Sequence, residues 1–181
     1  MKNNLFLMAL VAFAQFTFQS CGDVENPPNP NEEELITSVE LNFTNEDNSS
    51  DVRTFVFKDA DGEGGSAPTD FDTIRLASNS VYALNVRFLD ESGDTPEDIT
   101  VEIAEEANDH LVCYTTSAGT SVNITDEDGN KLALGLKAQV TTTDVGTGTF
   151  MLSLKHQPDI KTGDCALGDT DVEVTFEMEV E

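Results

Sequence analysis

Tryptophan is absent from the 181 residues, tyrosine and histidine occur twice each, and nine lysines and arginines stand against 35 aspartates and glutamates. Without Trp and with so little Tyr, the chain lacks the flat aromatic faces on which sugars usually stack, which speaks against a carbohydrate-binding module. A formal charge of −26 repels phosphate backbones and anionic headgroups, so neither nucleic acid nor direct adhesion to an acidic lipid surface is expected. There is no GxSxG, no HExxH and no phosphate-cradling glycine loop. Paired carboxylates abound, but in so acidic a chain they arise by chance, and no enzyme is expected. The length suits one ordinary domain.

What is present begins with an export signal. After Met1-Lys2-Asn3-Asn4, residues 5–18 are apolar except for Gln15 and Thr17. That run fits a signal peptide and is too short for a membrane-spanning helix, which needs about 20 apolar residues. Ser20-Cys21-Gly22 resembles the lipobox of bacterial lipoproteins, although Phe18 and Gln19 are looser than its usual Leu and small residue. The expectation is a leader over 1–20, cleavage before Cys21 and lipidation of its thiol. Three acyl tails, each CH₂ contributing about 0.8 kcal/mol, hold a protein on a bilayer without other contacts. An ordinary signal peptide followed by an incidental cysteine is the alternative. Gly22 in place of Asp lacks the inner-membrane retention signal, so the outer membrane of the cell envelope is expected.

Residues 21–34 follow as a tether. Three prolines and five acids between Gly22 and Glu34 cannot build a core and favour an extended, self-repelling segment. From Leu35 to Glu181 the periodicity is mostly two. Val39, Leu41 and Phe43 alternate with polar residues, as do Tyr82, Leu84, Val86 and Phe88, and Val172, Val174, Phe176 and Met178. Further strands are expected over 53–58, 73–76, 111–116, 122–125, 131–142 and 149–156. Turns fall at Asp61-Gly62, Gly64-Gly65, Asp128-Gly129 and Gly146-Thr147-Gly148. The sum is a mainly β, single immunoglobulin-like antiparallel sandwich over 35–181. One helix of about three turns is inserted, capped at Thr95 with Pro96 first inside and ending near Asn108.

Few residues offer chemistry. Cys113 and Cys165 are the cysteines left once Cys21 carries lipid, and in an oxidising compartment an even pair points to a disulfide, worth roughly 3–4 kcal/mol. A thiolate metal site or nucleophile is the alternative. His110 and His156, with Glu106, Asp109 and Asp159 near them in sequence, have the donors for Zn²⁺, Cu²⁺ or Fe²⁺ if the segments meet. Solvated or hydrogen-bonded histidines are the plainer reading. Asp59, Asp61, Glu63 and Asp70 follow the spacing of a calcium loop with Gly at its sixth position. Strand-like flanks and Asp in place of Glu at position 12 leave a plain acidic turn as the competing reading. Asp126-Glu127-Asp128-Gly129-Asn130 is weaker still.

Phe57, Asp59-Ala60-Asp61-Gly62, Gly64-Gly65, Asn85–Asp90, Glu97-Asp98-Ile99-Thr100, Asp109-His110, Leu154-Lys155-His156-Gln157-Pro158 and Asp169–Phe176 together resemble a group of small Bacteroidota lipoproteins. These are catalogued as "type 1 periplasmic binding fold superfamily" proteins, and the likeness covers roughly residues 35–180. The two-lobed α/β fold of that name needs a longer chain with alternating strands and helices, and is not carried over. The resemblance implies a lipid-anchored accessory module that captures a metal or small nutrient for an outer-membrane TonB-dependent receptor. A structural or adhesive immunoglobulin-like module without a small ligand is the other reading.

Overall fold

The computed structural model of the chain describes residues 34–60 and 66–181. The expected leader, Cys21, the tether to residue 33, and Asp61 and Glu63 lie outside the described residues.

Two sheets pack face to face. The first contains β1 (Ser38–Asn45), β2 (Val52–Lys58), β3 (Asp70–Phe71), β5 (Val81–Asp90), β8 (Thr120–Ile124) and β9 (Lys137–Thr142), in the order β3-β2-β1-β5-β9-β8. The short β6 (Glu97–Asp98) adds to the end of β5. The second sheet runs β4-β11-β10-β7, from β4 (Ile74–Leu76), β7 (His110–Thr116), β10 (Gly146–His156) and β11 (Asp169–Val180). Among the described residues every pairing is antiparallel except β4 with β11. This is the β-sandwich with one short helix that the alternation predicts.

Its core follows from that alternation. Val39, Leu41 and Phe43 of β1 and Tyr82, Leu84 and Phe88 of β5 face Phe150, Leu152 and Leu154 of β10 and Val174, Phe176 and Met178 of β11, all buried. Phe43 sits at the centre, in edge-to-face contact with Phe150 of the opposite sheet at 5.9 Å and with Tyr82 at 6.3 Å. Such pairs add about 0.5–1.5 kcal/mol each beyond their buried area. Cys113 and Cys165 form the expected disulfide, Cα to Cα 6.0 Å, tying β7 to the loop before β11.

Three local expectations need correction. The helix α1 spans only Thr100–Glu105, with Ile99 at its N-cap. Glu97 and Asp98 are drawn into β6, paired with Asp90 and Leu89, and Asp98 accepts from Arg87 at 2.9 Å. Thr100 Oγ1 then takes the Phe88 N–H at 2.8 Å. Sheet pairing has outcompeted the Thr95-Pro96 start, and Ala107 falls in the turn beyond the helix. The strand expected from Lys131 starts only at Lys137. Asp128 accepts the N–H groups of Asn130 and Leu132, and Asp126 those of Gly135 and Lys137, so side chains replace the ladder there. Gly146-Thr147-Gly148 opens β10 and is not a turn. Gly148 serves close approach, since a Cβ there would stand 2.9 Å from the Ala118 Cβ.

Candidate metal centre

β7 begins and β10 ends at the same edge of the second sheet, and His110 and His156 are register partners there. The two imidazoles stack with centroids 4.9 Å apart and planes 8° from parallel. Both are buried, His110 at 0% exposed and His156 at 5%. The turn between α1 and β7 then decides what His110 can do. Glu106 is the C-cap of the helix, and its carbonyl accepts the His110 Nδ1–H at 3.2 Å. That bond leaves the Nε2 lone pair as the free donor of the neutral ring.

Among the described residues nothing meets that lone pair. His110 Nε2 and His156 Nε2 are both shut from solvent without a hydrogen-bond partner. A buried polar atom in that state costs about 1–3 kcal/mol, which an enclosed water or a bound ion relieves. Ligand atoms of Glu34, Glu106 and His110 all lie within 4.8 Å of one another. One nitrogen and two carboxylate oxygens are donors that Zn²⁺ and similar ions take at about 2.0–2.2 Å, so an ion would draw them closer together.

The electrostatics favour a cation. Burial, then the charges of Glu102, Asp171 and Glu106, raises the Glu34 carboxyl from 4.5 to about 7. Burial and the neighbouring Glu102 and Asp109 likewise raise Glu106. Burial holds His110 below its ordinary value, against the pull of the Glu106 carbonyl, so the ring is a neutral donor. Asp171 reaches this corner through an irregularity of β11. The register with β10 shifts between Leu154 and Lys155, leaving Asp171 as the extra residue with both carboxylate oxygens enclosed. Bulges commonly re-aim a side chain in this way.

The two expected histidines are thus brought together, but His156 is not among the residues whose ligand atoms cluster. An imidazole binds metal in its own plane, and two parallel planes share no point, so one ion fits one of these rings. His156 instead covers the face of His110. Of the expected carboxylates Glu106 joins the centre. Asp109 and Asp159 do not; they line a neighbouring polar cleft of ≈ 350 Å³ with Asn108, Asn130 and Lys161. Lys161 is 3% exposed there, its ammonium 2.8 Å from the wholly buried Asp128 and 2.8 Å from the Ala107 carbonyl. In the expected calcium loop, Asp59 follows β2 and its N–H goes to the Thr37 carbonyl, while Asp70 pairs with Lys58 across β2 and β3. Glu34, Glu102 and Asp171 escape sequence reading. Glu34 looks like tether, Glu102 like a solvated helix face, and only the bulge singles out Asp171.

No family model matches the chain, and no curated protein or solved structure is significantly similar to it.

Proposed function

We infer that the protein is a lipid-anchored binding module of the cell envelope that captures a divalent transition-metal ion at Glu34, Glu106 and His110. The observation that carries this reading is the buried His110 ring, its Nε2 unpartnered and one of its nitrogens within 4.8 Å of carboxylate oxygens of Glu34 and Glu106, both raised in their affinity for a proton. One imidazole and two carboxylates without sulfur suit Zn²⁺, Fe²⁺ or Mn²⁺ better than a soft ion such as Cu⁺. The acidic surface concentrates cations near the site. The role we assign is binding and not catalysis, because the chain carries none of the catalytic motifs sought in its sequence. Lipid on Cys21 would hold the module at the outer membrane, where handing the ion to a TonB-dependent receptor is the role the sequence resemblance suggests.

The test is calorimetric titration of Zn²⁺, Mn²⁺, Fe²⁺ and Ca²⁺ into the unlipidated protein and into Glu34→Gln and His110→Ala variants. Micromolar or tighter binding of a transition metal, lost in His110→Ala, is expected. Absence of binding would sink the metal reading and leave a structural or adhesive module. Calcium binding that survives both substitutions would move the ion to the Asp59–Asp70 loop.

A further inference from the structure

A second cleft, of ≈ 530 Å³, lies between α1 and the stretches Asn85–Arg87 and Leu136–Lys137, and includes none of Glu34, Glu106 and His110. Its apolar lining comes from Leu136 and from Val101 and Ala104 of the helix, with Val86 beneath, its side chain in the core. Val101 is 58% exposed, an apolar side chain left uncovered on a six-residue helix.

The charges around it are uneven. Arg53, Lys58, Arg75, Arg87, Lys131 and Lys161 each meet a carboxylate, and Lys155 meets the Thr170 hydroxyl. Among the described residues Lys137 is the one cation whose side chain has no ion pair or hydrogen bond, and it lines this cleft. Lys137 is therefore the one ammonium at this cleft that no carboxylate of the described residues engages. The other cation there, Arg87, is neutralised by Glu40 and Asp98 at 2.7 and 2.9 Å. Glu105 on the helix side carries the opposite sign and turns an anionic headgroup away from α1, which leaves Lys137 as its partner.

We propose that this cleft binds an apolar monocarboxylate, such as a medium-chain alkanoate, with the hydrocarbon on Val101, Ala104 and Leu136 and the carboxylate on Lys137. Sites of this kind combine an apolar lining with one or two placed polar groups. The ion pair is solvent-facing, so it selects the anion more than it adds affinity. None of Glu34, Glu106 and His110 lines this site, so it should persist in EDTA.

The experiment is a two-dimensional NMR titration of octanoate, and in parallel the uncharged octan-1-ol, into the full chain carrying Cys21→Ser, with EDTA present. Saturable shifts at Val101, Ala104 and Lys137 are expected, with a Kd on the order of 0.1–1 mM for a ligand this small. Octanol should bind roughly fivefold more weakly. Lys137→Gln should erase that preference while leaving octanol unchanged, and Ala104→Trp, at an exposed position, should block both ligands. No saturable shift, shifts confined to other regions, or equal binding of octanoate by Lys137→Gln and the parent each overturn the proposal.

Discussion

His110 and His156 are register partners across β7 and β10, and their rings lie face to face, 4.9 Å apart and 8° from parallel. The relationship divides their roles. Only His110 has its Nδ1 fixed by the Glu106 carbonyl and a ring nitrogen clustered with the Glu34 and Glu106 carboxylates, so in the proposed site it would be the ligand and His156 the support. His110→Phe should therefore abolish Zn²⁺ binding. His156→Phe, which keeps a flat ring in the stack, should weaken it by about tenfold, as for other residues that orient a ligand. Calorimetry on the two variants decides the matter, and equal loss in both would mean that the rings rearrange to share one ion.

Metal binding should also follow pH in a defined sense. Glu34 is raised to about 7, so below that pH an incoming ion must displace a proton. The same shift acts on stability. A carboxyl whose folded value lies above its ordinary 4.5 contributes stability that is full below 4.5 and lost as pH rises through about 7. A bound divalent ion offsets both the burial of the charge and the repulsion from its neighbours that cause this loss. The rise in Tm on adding Zn²⁺ is therefore expected to be larger at pH 8 than at pH 5.5. Glu34→Gln should flatten the difference, and a rise that is equal at both pH values would count against Glu34 as a ligand.

The disulfide closes a segment of 52 residues, for which the chain-entropy relation gives about 4 kcal/mol. Replacing Cys113 and Cys165 with Ser should lower stability by that order in urea denaturation. β7 is also held by β10 along its whole length, so the metal centre should still form in the folded variant. Loss of Zn²⁺ binding in a variant that remains folded would show that the bridge positions His110 as well.

How much of this was legible in the chain divides along physical lines. Strands such as β1, β5 and β11 bury one face, and that burden writes alternation into the sequence, so the sandwich could be read. The Cys113–Cys165 pair was readable because an oxidising compartment leaves two thiols few other fates. The start of α1 was not, because Thr95-Pro96 is a good local signal that the pairing of Glu97 and Asp98 with β5 overrides. The metal centre was half readable. His110, His156 and Glu106 were visible as donor types, but their meeting depends on a strand register and on a bulge that turns Asp171 inward. Glu34 stands four residues before β1 in an acidic run, where nothing distinguishes it from its neighbours.

Lys161 and Asp128 form an ion pair with side chains 3% and 0% exposed. Burial pushes the Asp128 carboxyl up, but the Lys161 ammonium and the N–H groups of Leu132 and Asn130 outweigh it and hold it below its usual range. Its contribution is therefore present above the ordinary value of 3.8 and is lost as pH falls through the lower folded value. Lys161→Met leaves that charge buried without its partner and should cost about 3–5 kcal/mol near pH 7. The cost should shrink at pH 4, where Asp128 of the variant takes up a proton. A Lys161→Met/Asp128→Asn double variant should recover part of it. Urea melts at the two pH values test this, and a cost independent of pH would assign it to lost packing of the lysine stem.

The loop that carries Lys161 and Cys165 returns to the sheet through Gly168, at φ +74°, where an added Cβ would overlap the carbonyl oxygen of His156 and crowd the Gln157 side chain. Gly163, five residues earlier, has φ +88° with nothing within 4 Å of such a Cβ. The pair separates two reasons for a glycine. Gly163→Ala meets only the backbone strain of the left-handed region and should cost about 1 kcal/mol. Gly168→Ala adds a collision with backbone that cannot swing aside, so it should cost more than about 2 kcal/mol. Because the obstructing oxygen belongs to His156, Gly168→Ala should also disturb the imidazole stack and lower Zn²⁺ affinity, while Gly163→Ala leaves it unchanged. Denaturation and metal titration of both variants read the two effects separately. Equal costs, or unchanged affinity in Gly168→Ala, would show that this return does not set the position of His156.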